Sequence, residues 1–84
     1  MIDFAVEYSE ESLFLLRGVD TPVAKRIVQK IESTKGEPHR FSVRLVGRTE
    51  YKLRIGDYRV SAGIEEKRKV IIIRSLGHRK NIYK

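Results

Sequence analysis

The 84-residue chain has no cysteine and no tryptophan. Without cysteine no disulfide can staple the fold and no thiolate can hold a metal, and this usage fits a reducing compartment. Proline occurs twice, at Pro22 and Pro38, and both positions punctuate the sequence without interrupting an apolar pattern. Amide side chains are almost missing: one Gln and one Asn stand beside 35% charged residues, a balance associated with thermophilic sources. No apolar run is longer than residues 70–73, far short of a transmembrane span. The opening MIDFAVEYSEE has neither a basic region nor an apolar one of the kind a signal peptide needs. These absences predict a soluble, cytoplasmic, single domain over residues 1–84 with no membrane partner.

What is abundant is positive charge. The net charge is +7 and the isoelectric point is near 10. In so small a domain this points to nucleic acid, an anionic surface or an acidic protein partner. The acids lie mostly where helices start and chains turn, which argues against a carboxylate-pair hydrolase. His39 and His78 are the only histidines and neither has a partner at ligand spacing, so no metal site is expected. P-loop, GxSxG and GxGxxG patterns are absent, and no cofactor is expected.

The most informative stretch is residues 51–63, YKLRIGDYRVSAG. Gly56-Asp57 between Ile55 and Tyr58 suits a two-residue type II′ turn, and that turn fixes the register of a hairpin. Ile55 then faces Tyr58, Arg54 faces Arg59, Leu53 faces Val60 and Lys52 faces Ser61. Alternation puts Tyr51, Leu53, Ile55, Tyr58, Val60 and Ala62 on a core face, and Lys52, Arg54, Arg59 and Ser61 on the other. Like charges directly opposite on a sheet are unfavourable by up to about 1 kcal/mol. Either an anionic partner offsets that repulsion when bound, or the long side chains splay apart as a solvated basic face.

Residues 2–8 alternate Ile2, Phe4, Val6 and Tyr8 with more polar positions and predict a first strand. Ser9 is the expected N-cap of a short helix with Glu10 and Glu11 in its first turn, an apolar stripe of Leu13, Phe14 and Leu16, and Gly18 at its end. Thr21 at N-cap and Pro22 at the first helical position open a second helix, whose Ala24, Ile27, Val28 and Ile31 repeat at i, i+3, i+4 and i+7. Gly36 is the expected cap and Pro38 bars continuation. Residues 39–49 form a partly extended connector carrying Arg40, Arg44 and Arg48. A second turn at residues 65–68 would pair Ile64 with Lys69, Val60 with Ile73 and Ala62 with Ile71, bringing Arg74 opposite Arg59. Gly77 breaks the last strand, and the tail GHRKNIYK follows. The expected fold class is α+β: an N-terminal strand, an αα-hairpin and a three-stranded antiparallel meander in one sheet, with the first strand joined to it.

A basic sheet face with a tail carrying His78, Arg79 and Tyr83 can bind and bend a phosphodiester. RNA supplies its own nucleophile, the 2′-OH. Cleavage then needs alignment of that hydroxyl, stabilisation of the phosphorane and transfer of protons. Cations serve the second need; Tyr83 or His78 serves the third, and nearby cations lower a tyrosine pKa. His78 stands as a general acid or base, a stacking residue or a turn residue.

The order Y-K-L-R, Y-R-V, a further strand and a terminal G-H-R-x-x-I-Y resembles the RelE/ParE toxin superfamily, most closely its RelE branch of ribosome-dependent mRNA interferases. The resemblance covers nearly the whole chain. It implies a microbial-RNase-like fold and metal-independent cleavage of mRNA in the ribosomal A site. It places the catalytic set at Lys52, Arg54, Arg59, Arg79 and Tyr83, and Arg40, Arg44, Arg48, Arg74 and Lys80 join the basic surface expected to bind RNA. It also implies neutralisation by a RelB-type antitoxin, with the monomeric toxin entering a heterotetramer or other higher assembly. Two departures bear on activity. Arg54 stands where some members have Lys, and the sequence stops one residue after Tyr83, so no C-terminal helix is expected behind the tail. A ParE-like gyrase poison and a non-catalytic RNA-binding module are the competing readings.

Overall fold

The computed structural model describes residues 3–45 and 48–78, with the backbone alone for 41–45 and 48–50. Strand β1 (Ala5–Tyr8) leads into helices α1 (Glu10–Arg17) and α2 (Thr21–Ser33). A 3-10 turn at Pro38–Phe41 precedes β2 (Ser42–Leu45), β3 (Arg48–Ile55), β4 (Tyr58–Glu65) and β5 (Val70–His78). The sheet order is β1-β5-β4-β3-β2. Its α+β class agrees with the expectation, but the connector supplies an additional strand, so the meander has four strands. β1 joins the sheet as expected, parallel to β5, with Ala5 opposite Val70 and Tyr8 opposite Ile73.

Local chemistry explains the helix ends. Ser9 is extended, and its hydroxyl accepts a 3.1 Å bond from the Ser12 amide. The same hydroxyl donates to the Arg74 carbonyl at 2.9 Å, which ties the start of α1 to β5. α2 begins one residue earlier than expected: Asp20 is the N-cap, without a side-chain capping bond, and Pro22 lies within the first turn. Proline costs nothing there because the first amides of a helix have no partner within it. Thr34, not Gly36, closes α2. Its hydroxyl donates to the Ile31 carbonyl at 2.7 Å and shares a 2.7 Å bond with the Tyr51 phenol, both buried.

The helices cover one face of the sheet. Ile27 and Ile31 of α2 are fully buried against Tyr51, Leu53, Val60, Ala62, Ile71, Ile73 and Leu76. Each such aliphatic side chain contributes about 1.5–3 kcal/mol of burial. The stripe of α1 differs from the expectation. Ser12 is buried and Leu15 and Leu16 pack on the core, whereas Phe14 is 72% exposed and Leu13 38%. The N-cap geometry fixes this rotation, because the Ser12 hydroxyl turns back to donate to the Ser9 carbonyl at 2.8 Å, on the inward side of the helix.

The first hairpin has the expected register at every pair from Lys52↔Ser61 to Ile55↔Tyr58. Gly56 has φ +58° and Asp57 no positive φ, the signature of a type II′ turn. The second hairpin does not follow the expectation. Glu65 pairs with Val70, because Lys69 takes a left-handed conformation (φ 55°) and so belongs to the turn. The register then shifts between Ser61 and Ala62: Ala62 faces Ile73, Ser61 faces Ser75, and Arg74 is the extra residue of a β-bulge. Val60 therefore meets Leu76 and Arg59 meets Gly77, not Arg74.

Candidate RNA-binding face

Strands β3 and β4 alternate strictly, so the residues between the buried ones emerge on the side of the sheet away from the helices. Arg54 and Arg59 stand opposite each other there, and Lys52 stands opposite Ser61 one step along. Lys52 and Arg54 are exposed; Arg59 is half-buried. Next to Arg59 on β5 is Gly77, which offers no side chain. The arrangement is a short row of cations on the antiparallel pair β3–β4, with β5 alongside. Such a row can hold a phosphodiester and stabilise charge that develops on it.

The remaining expected site residues are dispersed. Arg40 lies in the 3-10 turn, exposed, 3.8 Å from Glu37 Oε2. In the backbone register Arg44 pairs with Thr49, and Arg48 opens β3 opposite Leu45. Arg79, Lys80 and Tyr83 lie outside the described residues. His78 faces Tyr58 across β4 and β5, their rings 5.2 Å apart and edge-on. Directly paired residues share a face, and Tyr58 is on the helix side, so the His78 side chain is directed away from Lys52, Arg54 and Arg59. Of the three roles open to it, the observed contact is aromatic packing. Among the described residues no cluster of three or more His, Asp or Glu is placed to hold a metal ion.

Two tyrosines, Tyr51 fully buried and Tyr8 half-buried against the core, differ from the exposed cations. Burial raises the Tyr51 pKa above its usual value, against the smaller lowering effect of the Thr34 hydrogen bond. Burial also raises that of Tyr8, helped by Glu32 and Tyr51. Both phenols keep their protons and are structural, not proton-transfer groups.

Three features escaped the sequence reading. One is a groove of about 520 Å³ on the helix side, between α1 and the end of β5, lined by Phe14, Leu15, Val19, Tyr58, Leu76 and His78. Another is a contact between His39 Nε2 and Glu66 Oε1, which links the 3-10 turn to the β4–β5 turn. The third is Gly63, buried within β4, with the Arg74 guanidinium lying over it. Of these only Gly63 left a sequence signal, since a lone glycine inside a strand pattern marks a bulge or a close approach.

The fold is that of RelE toxins. A chain of the archaeal RelE–RelB complex from Pyrococcus horikoshii is 25% identical with a TM-score of 0.77, over 93% of this chain and 97% of that one. A chain of the toxin–antitoxin complex RelBE2 from Mycobacterium tuberculosis is 20% identical with a TM-score of 0.80, over 94% of each chain. A mutant of the E. coli toxin RelE in the free state is 17% identical with a TM-score of 0.81, over 95% of this chain and 87% of that one. No curated protein matches. The family described as the ParE toxin of the type II toxin–antitoxin system parDE matches residues 7–83, and the chain belongs to that family.

Proposed function

We propose that this toxin is a ribosome-dependent mRNA endonuclease that cuts mRNA in the ribosomal A site without a metal. The observation that carries the reading is the row formed by Lys52, Arg54 and Arg59, three cations brought together on the sheet face that the helices leave uncovered. The row supplies charge stabilisation for a phosphorane, and the 2′-OH of RNA supplies the nucleophile. In this reading Arg79 and Tyr83 complete the set, with Tyr83 moving protons, and Arg40, Arg44, Arg48, Arg74 and Lys80 hold the RNA electrostatically. The described cations include no acid–base pair of their own, so alignment of the 2′-OH falls to the ribosome. The solved RelE–RelB complexes support an antitoxin of RelB type as the inhibitor. A +7 toxin favours an acidic partner, because complementary charge speeds capture.

The ParE description of the matching family favours one second reading, a toxin that acts on gyrase. Translation of a defined mRNA with 5′-end mapping of the products separates the two. Ribosome-dependent cuts are expected, with Arg59→Ala slowing them by about 10²–10³ while circular dichroism stays native. Replication arrest with intact mRNA overturns the nuclease reading in favour of gyrase.

A further inference from the structure

The bulge in β5 puts a cation where simple alternation would not. Gly63 follows Arg59 and Ser61 on the exposed face of β4 by strict alternation, and Glu50 and Ile72 flank it in the register. A Cβ built on Gly63 would lie 2.6 Å from Arg74 Nη2, 3.0 Å from Cζ and 3.3 Å from Nε, so the guanidinium lies over this glycine on the same face as Lys52, Arg54 and Arg59. The bulge is held from behind: the Ser9 hydroxyl bonds the Arg74 carbonyl at 2.9 Å and the Ser9 amide bonds the Ile73 carbonyl at 2.9 Å. Among the described residues the Arg74 side chain makes no ion pair. Gly63 is four residues from Arg59 along β4, about 13 Å at strand rise. The guanidinium is therefore too far along the sheet to share the phosphate that the Arg54–Arg59 pair would hold.

We propose that Arg74 binds a second, non-reacting phosphate of the RNA and that Gly63 is the positioning residue that seats its guanidinium. The proposal rests on the RNA-cutting reading of this face. The row then runs Arg54 and Arg59, Lys52, Arg74, and a single strand crossing it along β4 is gripped at both ends. Arg74 adds binding energy that is equal before and during the reaction, so its loss raises the concentration needed and leaves the maximal rate. Only the end of a flexible side chain occupies the space above Gly63. Gly63→Ala therefore displaces the guanidinium and leaves the strand in place.

The test is single-turnover cleavage of mRNA on programmed ribosomes, with the toxin concentration varied. Wild type, Arg74→Ala, Arg74→Lys, Gly63→Ala and the Gly63→Ala/Arg74→Ala double variant are compared, and thermal melting is recorded for each. Arg74→Ala is expected to raise the half-saturating concentration roughly 10- to 100-fold at unchanged maximal rate, with part of the loss recovered in Arg74→Lys. Gly63→Ala is expected to shift the curve the same way with a wild-type melting point, and to add nothing in the Arg74→Ala background. An Arg74→Ala curve at the wild-type concentration overturns the proposal. So does a Gly63→Ala effect that persists undiminished when Arg74 is absent. If Arg74→Ala fails to fold, Arg74→Lys and Gly63→Ala decide by the same criteria. Failure of the wild-type toxin to cut on the ribosome overturns the nuclease reading itself, and this proposal with it.

Discussion

The Tyr51 phenol is the most consequential single hydroxyl in the core. It is fully buried, shares its 2.7 Å bond with Thr34 and joins the end of α2 to the middle of β3. Its proton is held more tightly in the folded chain than in the unfolded one, because burial penalises the phenolate. The folded pKa is raised, so this stabilisation is complete below the unfolded value near 10 and is lost as pH rises toward the folded value. Tyr8 shifts in the same direction. Stability measured by denaturant unfolding is therefore expected to fall above about pH 10, and Tyr51→Phe should make that fall shallower while lowering stability at neutral pH by about 1 kcal/mol for the lost hydrogen bond. An alkaline slope as steep as that of the wild type would remove Tyr51 from the account. Tyr51 was legible in the sequence as a core residue by alternation. Its partner was not, because a hydroxyl bond between residues 34 and 51 depends on how a helix is docked, which no local pattern encodes.

At the scale of elements, legibility followed the strength of the local rule. Helix α2 was readable because Ile27 and Ile31 repeat at helical spacing, and the structure buries both completely. Ile31→Ala is expected to cost about 2–5 kcal/mol in thermal or denaturant unfolding, since it leaves a cavity against Tyr51 and the sheet; a shift much below that would mean that α2 packs loosely. The first hairpin was readable because a two-residue turn with glycine at its first position admits one register. The second hairpin was not. Four turn residues admit more than one pairing, the left-handed Lys69 settled the choice, and the bulge at Arg74 moved everything beyond it by one more step. The same bulge explains why Arg74 reaches the cationic face although the pairing that was to put it there does not exist. For α1 the pattern of three leucines and a phenylalanine fitted more than one rotation. The Ser9 cap chose the one that leaves Phe14 outside, beside the groove at the end of β5.

For the whole molecule, the division of labour between the two sheet faces is the main result. One face is closed by helices and carries the stability, with its buried aliphatics and the Tyr51–Thr34 bond; the other, among the described residues, has no helix and carries the charge. Substitutions on the charged face should therefore leave the melting temperature within a few degrees of wild type, as surface changes away from caps and cores usually do. The parallel pairing of β1 with β5 has a different consequence, one that concerns time. The first strand of the chain finds its partner only in the last, with Ala5 opposite Val70, and β5 also lies between β1 and β4. Everything made earlier lacks the strand that joins β1 to the rest of the sheet. A chain ended at Lys69 is expected to show no cooperative unfolding transition by circular dichroism, and a sharp melt in that fragment would contradict this. Contacts spanning most of the sequence are slow to form and give nothing back until loop closure is complete. The nascent toxin is thus expected to stay unfolded until β5 has been made, and to acquire its cationic face only then. If the toxin cuts messages on the ribosome as proposed, that activity begins only after its own β5 has been made.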